Sequence, residues 1–86
     1  MDQQVDRQLA QEARILKVLQ SIKGTDVHPG EDDSLFQSGL LDSFALTDFV
    51  SGLEAEFGIT IPDSDLSARK FDTIHKVAAY VSTKAS

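Results

Sequence analysis

Residues 35–46 read Leu35-Phe36-Gln37-Ser38-Gly39-Leu40-Leu41-Asp42-Ser43-Phe44-Ala45-Leu46, and their character changes part-way through. Up to Asp42 the stretch is aperiodic and carries a glycine, as a loop does. From Ser43 onward, Leu46, Phe49, Val50, Leu53 and Phe57 recur at three- and four-residue spacing, which puts them on one face of a helix. The spacing predicts a helix over Ser43–Phe57, stopped by Gly58. Asp-Ser at such a start is a common capping pair, because either side chain can bond the free N–H groups of the first turn. The same four N–H groups and the positive end of the helix dipole also favour an anion there. A phosphodiester on Ser43 would sit where the backbone tolerates its charge, and the preceding loop leaves the hydroxyl open to an incoming enzyme.

Before this stretch, Val5, Leu9, Ala13, Leu16 and Leu19 mark an amphipathic helix over residues 4–22, ended by Gly24. Thr25 to Asp42 reads as a long loop holding Pro29 and the acidic run Glu31-Asp32-Asp33, with a short turn around Ser34–Gln37. Loops of this length in small domains usually have a function or are disordered. After Gly58, Ile59-Thr60-Ile61 alternates like a strand but is short, has no matching partner and meets Pro62. It reads as an extended connector that drops two isoleucines into the core. Asp63–Ser67 fits a helical turn. A last helix starts near Asp72 or Thr73, either of which can cap it, and carries the stripe Ile74, Val77, Ala78 and Val81. Gly52 costs its helix about 1 kcal/mol relative to alanine. The expected fold is all-α, a small three- to four-helix bundle forming one domain over residues 1–86 with an ordered core of about 4–83. Its expected core is Leu9, Leu16, Leu19, Leu46, Phe49, Val50, Leu53, Phe57, Ile61, Ile74, Val77 and Val81.

Composition narrows the function. A chain of 86 residues holds one compact core and no room for a deep cavity with catalytic machinery, so no enzyme is expected. The absence of cysteine excludes disulfides and thiolate metal sites, and any thiol has to be brought in. The polar start, Met1 to Arg14, holds no signal peptide or membrane span, which points to the cytoplasm. A net charge of −6 argues against nucleic acid and anionic membrane as partners. All eight Lys and Arg residues fall in Arg7–Lys23 or Arg69–Lys84, leaving ten Asp and Glu unopposed between Gly24 and Ala68. That acidic middle is either a solvated face or a docking surface for basic enzymes, whose encounter complementary charge would speed. A serine hydrolase would need Gly-x-Ser-x-Gly and a histidine base, and Ser43 lies in Leu-Asp-Ser-Phe-Ala. His28 and His75 read as surface residues. Neither Glu31-Asp32-Asp33 nor Asp63-Ser64-Asp65 has the spacing of a calcium loop, so no metal site is expected.

Leu-Phe-x-Ser-Gly-Leu-Leu-Asp-Ser-Phe resembles the modification site of acyl carrier proteins and of the related aminoacyl and D-alanyl carriers. The similarity continues through Leu53-Glu54-Ala55-Glu56-Phe57-Gly58-Ile59-Thr60-Ile61-Pro62 to Phe71-Asp72-Thr73-Ile74, and so covers roughly Asp33 to Val81. It implies that Ser43 carries 4′-phosphopantetheine taken from coenzyme A, with Asp42 positioning the serine or the metal-bound coenzyme A in the modifying enzyme. The arm would supply the missing thiol and hold cargo as a thioester. Implied partners are a phosphopantetheinyl transferase, an acyl or aminoacyl ligase, and downstream synthases with basic docking patches; a monomer is expected. The leading expectation is an acyl carrier in fatty-acid, polyketide or specialised metabolism. The alternatives are an aminoacyl, D-alanyl-like carrier loaded by a stand-alone adenylating ligase, or, in a different class, an unmodified helical adaptor. Ala45 and Ala55 stand where many fatty-acid carriers have acids, which speaks against primary fatty-acid synthesis. Leu41, Phe44, Asp48, Glu54 and Glu56 form the expected docking surface. On the helical wheel Phe44 lies away from Leu46, Val50 and Leu53, so it either anchors a partner or tucks against the loop. A slot between the second helix and the last two is expected to shelter an apolar cargo in part.

Overall fold

The computed structural model describes residues 3–85, with side chains from Ala10 to Lys84. Four helices, α1 (Gln3–Lys23), α2 (Ser43–Phe57), α3 (Ala68–Phe71) and α4 (Ile74–Ala85), are joined by loops and by a 3₁₀ turn at Asp63–Asp65. α1 packs against both α2 and α4, and α3 lies against α4. The all-α bundle expected from the sequence is what forms, with no strand among the described residues. Ile59–Ile61 is extended backbone, and of its two isoleucines Ile61 is buried while Ile59 is half-buried.

Phe49, Phe71, Leu19, Leu53, Val77 and Val81 form the fully buried centre, together with Ile15, Leu35 and Leu41. Four of these were not in the expected core: Leu35 and Leu41 in the loop and Phe71 in the single turn of α3 lie outside any periodic stripe, and Ile15 lies off the stripe expected for α1. Leu16, Leu46 and Phe57, expected inside, are only half-buried. Leu9 lies outside the residues whose side chains are described. In α1 the inward face is centred on Ile15, Val18 and Leu19, which leaves Ala13 exposed and turns Glu12 inward. α1 and α2 come close at Gly52, where a Cβ would stand 2.6 Å from Val18 Cγ1. The glycine's cost to helix propensity is therefore offset by close interhelical packing.

The loop before α2 is anchored rather than loose. The Leu35 N–H donates to the Asp72 carbonyl at 2.6 Å, and the Ser34 hydroxyl donates to Asp72 Oδ1 at 2.6 Å. The Leu41 N–H returns to the Leu35 carbonyl at 2.9 Å, which closes the turn and buries both leucines. Asp72 thus ties down the loop, while Thr73 Oγ1 caps α4 by accepting from the Lys76 N–H at 3.0 Å. At the other end of the chain, Tyr80 donates its hydroxyl to Asp65 Oδ2 at 2.6 Å and so holds the 3₁₀ turn to α4. Burial first, then that hydrogen bond, push the Tyr80 hydroxyl up to about 12.

Candidate functional site

The start of α2 is built by Asp42. Its backbone is extended, with φ −139° and ψ −171°, and its Oδ1 accepts from the N–H groups of Phe44 at 3.0 Å and Ala45 at 2.8 Å. The Ala45 N–H does most to hold the Asp42 carboxyl below its usual value; the Phe44 N–H adds to this, and the charge of Lys23 at the end of α1 adds less. This differs from the anion cradle expected from the sequence, because two of the first-turn N–H groups are already bonded to a carboxylate. Ser43 sits beside that cap, exposed, with its carbonyl accepting from the Thr47 hydroxyl at 3.3 Å. A group joined to this hydroxyl would project into solvent instead of folding back onto the helix end.

The docking residues read from the sequence fall into different environments. Phe44 is 84% exposed, so it does not tuck against the loop. Asp48 is exposed on the same helix. Leu41 is a correction: at 2% exposure it belongs to the core, because the turn that presents Ser43 folds its side chain inward, and no partner could reach it. Glu54 is half-buried and its carboxylate accepts from the Ile61 N–H at 2.7 Å, which fastens the connector to α2. Glu56 is exposed but paired with Arg14 at 2.7 Å. What stands bare beside Ser43 is therefore Phe44 and Asp48. Ala45 is buried, so its lack of an acid is a matter of packing; Ala55 is exposed.

Two features escaped the sequence reading. Arg14 bridges α1 to the far end of α2, donating from Nη2 to the Glu56 carbonyl at 2.7 Å and lying 4.3 Å from the centroid of the Phe57 ring. Glu12, Glu31 and His75 meet from three separate segments. Neither leaves a linear signal, since the partners are distant in the chain.

A small bundle that offers an exposed serine at a capped helix start has the form of a protein that holds a tethered group. The class is a carrier. The phosphopantetheine attachment site family matches residues 13–81, and the chain belongs to that family, with 4′-phosphopantetheine as its covalent cofactor. It is 37% identical over 68 residues to a D-alanyl carrier protein of Leuconostoc mesenteroides, covering 79% of this chain and 87% of that protein. The D-alanyl carrier protein of Leuconostoc citreum is 34% identical over 73 residues, 85% of this chain and 94% of the relative. That of Lactococcus lactis subsp. cremoris is 33% identical over 72 residues, 83% of this chain and 91% of the relative. No helix among the described residues is long and apolar enough to cross a membrane.

Proposed function

We propose that this protein is an aminoacyl carrier of the D-alanyl kind, loaded on an arm at Ser43 by a stand-alone adenylating ligase. The observation that carries the proposal is the run of D-alanyl carrier relatives matching nearly the whole of their own length. This replaces the fatty-acid or polyketide assignment that led the sequence reading. The packing agrees with a small cargo. Leu53, Ile61, Phe71, Val77 and Val81, which a slot for a long apolar chain would have to part, are each at most 5% exposed. An aminoacyl group has little apolar surface to hide and needs no such slot.

The bound arm supplies the thiol that holds cargo as a thioester. The chain's own residues do the rest. Asp42 fixes the helix start so that the Ser43 hydroxyl faces solvent, where a phosphopantetheinyl transferase can reach it. Phe44 offers an aromatic anchor beside the attachment point, and Asp48 adds negative charge for a basic partner. Attaching the arm consumes coenzyme A and loading it consumes ATP, which supports a cytoplasmic setting for this work.

The test starts with holo-protein made from coenzyme A and a broad-specificity transferase. A D-alanine-activating ligase with ATP and D-alanine should add the mass of one alanyl group. Fatty acids offered through an acyl ligase should load at least tenfold more slowly. Efficient acylation by fatty acids with no alanyl product would return the assignment to an acyl carrier. Failure of the transferase to modify the chain would instead favour the unmodified adaptor.

A further inference from the structure

Glu12 lies on α1, Glu31 in the loop between α1 and α2, and His75 in the first turn of α4. One donor atom from each, two carboxylate oxygens and an imidazole nitrogen, falls within 4.8 Å of the others. His75 Nδ1 stands 3.5 Å from Glu12 Oε2. The backbone fixes the arrangement, because the His75 N–H donates to the Glu31 carbonyl at 2.9 Å and so pins the loop to α4. Glu12 is only 9% exposed, so its carboxylate is turned into this junction and not out to bulk water.

Two carboxylates held this close repel each other unless a proton or a cation lies between them. Of the neighbouring loop acids, Asp33 Oδ2 accepts from the Gly30 N–H at 2.8 Å, and Asp32 adds its negative charge beside Glu31. An open cleft of about 250 Å³ adjoins the cluster, bounded by Glu12, Glu31, Leu16, Pro29 and Ile74. It gives an ion a way in and leaves room for a water as a further ligand.

We propose that Glu12, Glu31 and His75 bind one divalent transition-metal cation of the zinc class, which clamps the loop to α1 and α4. One imidazole with two carboxylates suits zinc-class ions, whereas calcium takes six to eight oxygens. Zinc bonds of about 2.1 Å at a tetrahedral angle require donors roughly 3.4 Å apart. The His75–Glu12 pair already meets that spacing at 3.5 Å, and rotation of the exposed Glu31 side chain brings in the third donor. The ion stabilises the folded chain by mass action and takes no part in thioester chemistry.

The experiment titrates the full-length, untagged protein with ZnCl₂ alone and with CaCl₂ alone, by calorimetry and by thermal melting. One Zn²⁺ per chain should bind, with a melting midpoint that rises as Zn²⁺ is added and with Ca²⁺ at least tenfold weaker. His75→Gln and Glu12→Gln should each weaken Zn²⁺ binding at least tenfold, while His28→Gln should leave it unchanged. If Glu12→Gln fails to fold, His75→Gln decides alone, since its side chain is 50% exposed. No heat up to millimolar Zn²⁺, equal affinity for Ca²⁺, or undiminished binding in His75→Gln each overturns the site. Neither the transferase nor a ligase enters the measurement, so such a failure leaves the carrier assignment standing.

Discussion

The two ends of α2 are built by opposite means. At its C-terminal end Gly58 takes the left-handed conformation, with φ 64°, and its N–H donates to the Glu54 carbonyl. The Glu54 carboxylate holds Ile61, and Arg14 reaches over from α1 to grip Glu56 and Phe57. At the N-terminal end the hydrogen bonding is local, from one aspartate to two N–H groups, and the next two side chains are exposed. One end is held by the rest of the molecule; the other leaves Ser43 and Phe44 exposed. A carrier needs this division, because several partners must approach the same point without disturbing the core.

The largest effect should come at the clear end. Ser43→Ala removes the proposed nucleophile, and intact mass after incubation with coenzyme A and a transferase should show no gain at all. The fold should be unchanged, with stability within about 0.5 kcal/mol of wild type, as for other exposed positions. Attachment that survives the substitution would move the site elsewhere. Phe44→Ala comes next. Its stability should be similarly unaffected, yet loss of an aromatic anchor worth about 2 kcal/mol would lower kcat/KM for the transferase or ligase by roughly 30-fold. Unchanged kinetics with both enzymes would show that the exposed ring is not a contact.

The helix that presents Ser43 was more legible in the sequence than the packing around it. α2 could be read because five apolar residues keep one period and Gly58 ends it, and Asp42-Ser43 marks its start. α3 could not, since Ala68–Phe71 is a single turn with no period to detect; its Ser67 cap, which accepts from the Lys70 N–H at 3.3 Å, was the one local sign. The burial of Leu35 and Leu41 depends on a turn closed through Asp72, thirty or more positions away. In α1 the stripe through Ala13 and Leu16 competes with one through Ile15 and Val18, and only packing against Gly52 and α4 selects the second. Leu41 was misplaced for the same reason: adjacency to Ser43 in sequence says nothing about which way a loop side chain turns.

At the anchored end the expected effects reverse, with stability moving and modification left alone. Gly58→Ala forces a Cβ into the left-handed region and should cost about 1 kcal/mol. Arg14→Ala should cost a similar amount, about 1 kcal/mol, from a half-exposed ion pair and one cation–π contact. Chemical denaturation would measure both, and mass spectrometry should find both fully modified. Slower modification in either variant, at equal foldedness, would mean that the two ends communicate.

The smallest effect distinguishes the ends by charge. The N-terminal cap is an ionised carboxylate, whereas the glycine cap carries no ionisable group. Backbone hydrogen bonds, that of Ala45 foremost, hold the folded-state pKa of Asp42 below its unfolded value. Its contribution is therefore full above the unfolded value, near pH 4, and is lost as pH falls through the folded one. Asn at this position still caps but has no charge to offer the helix dipole, so Asp42→Asn should melt slightly below wild type at pH 6. Asp65, also held low by its Tyr80 hydrogen bond, and Glu31, held high by Glu12, titrate equally in both proteins and cancel from the difference. The gap in melting midpoint should narrow as pH falls below that unfolded value and the cap becomes protonated. If it does not narrow, the cap acts through shape rather than charge, and the contrast between the two ends reduces to which of them the tertiary structure covers.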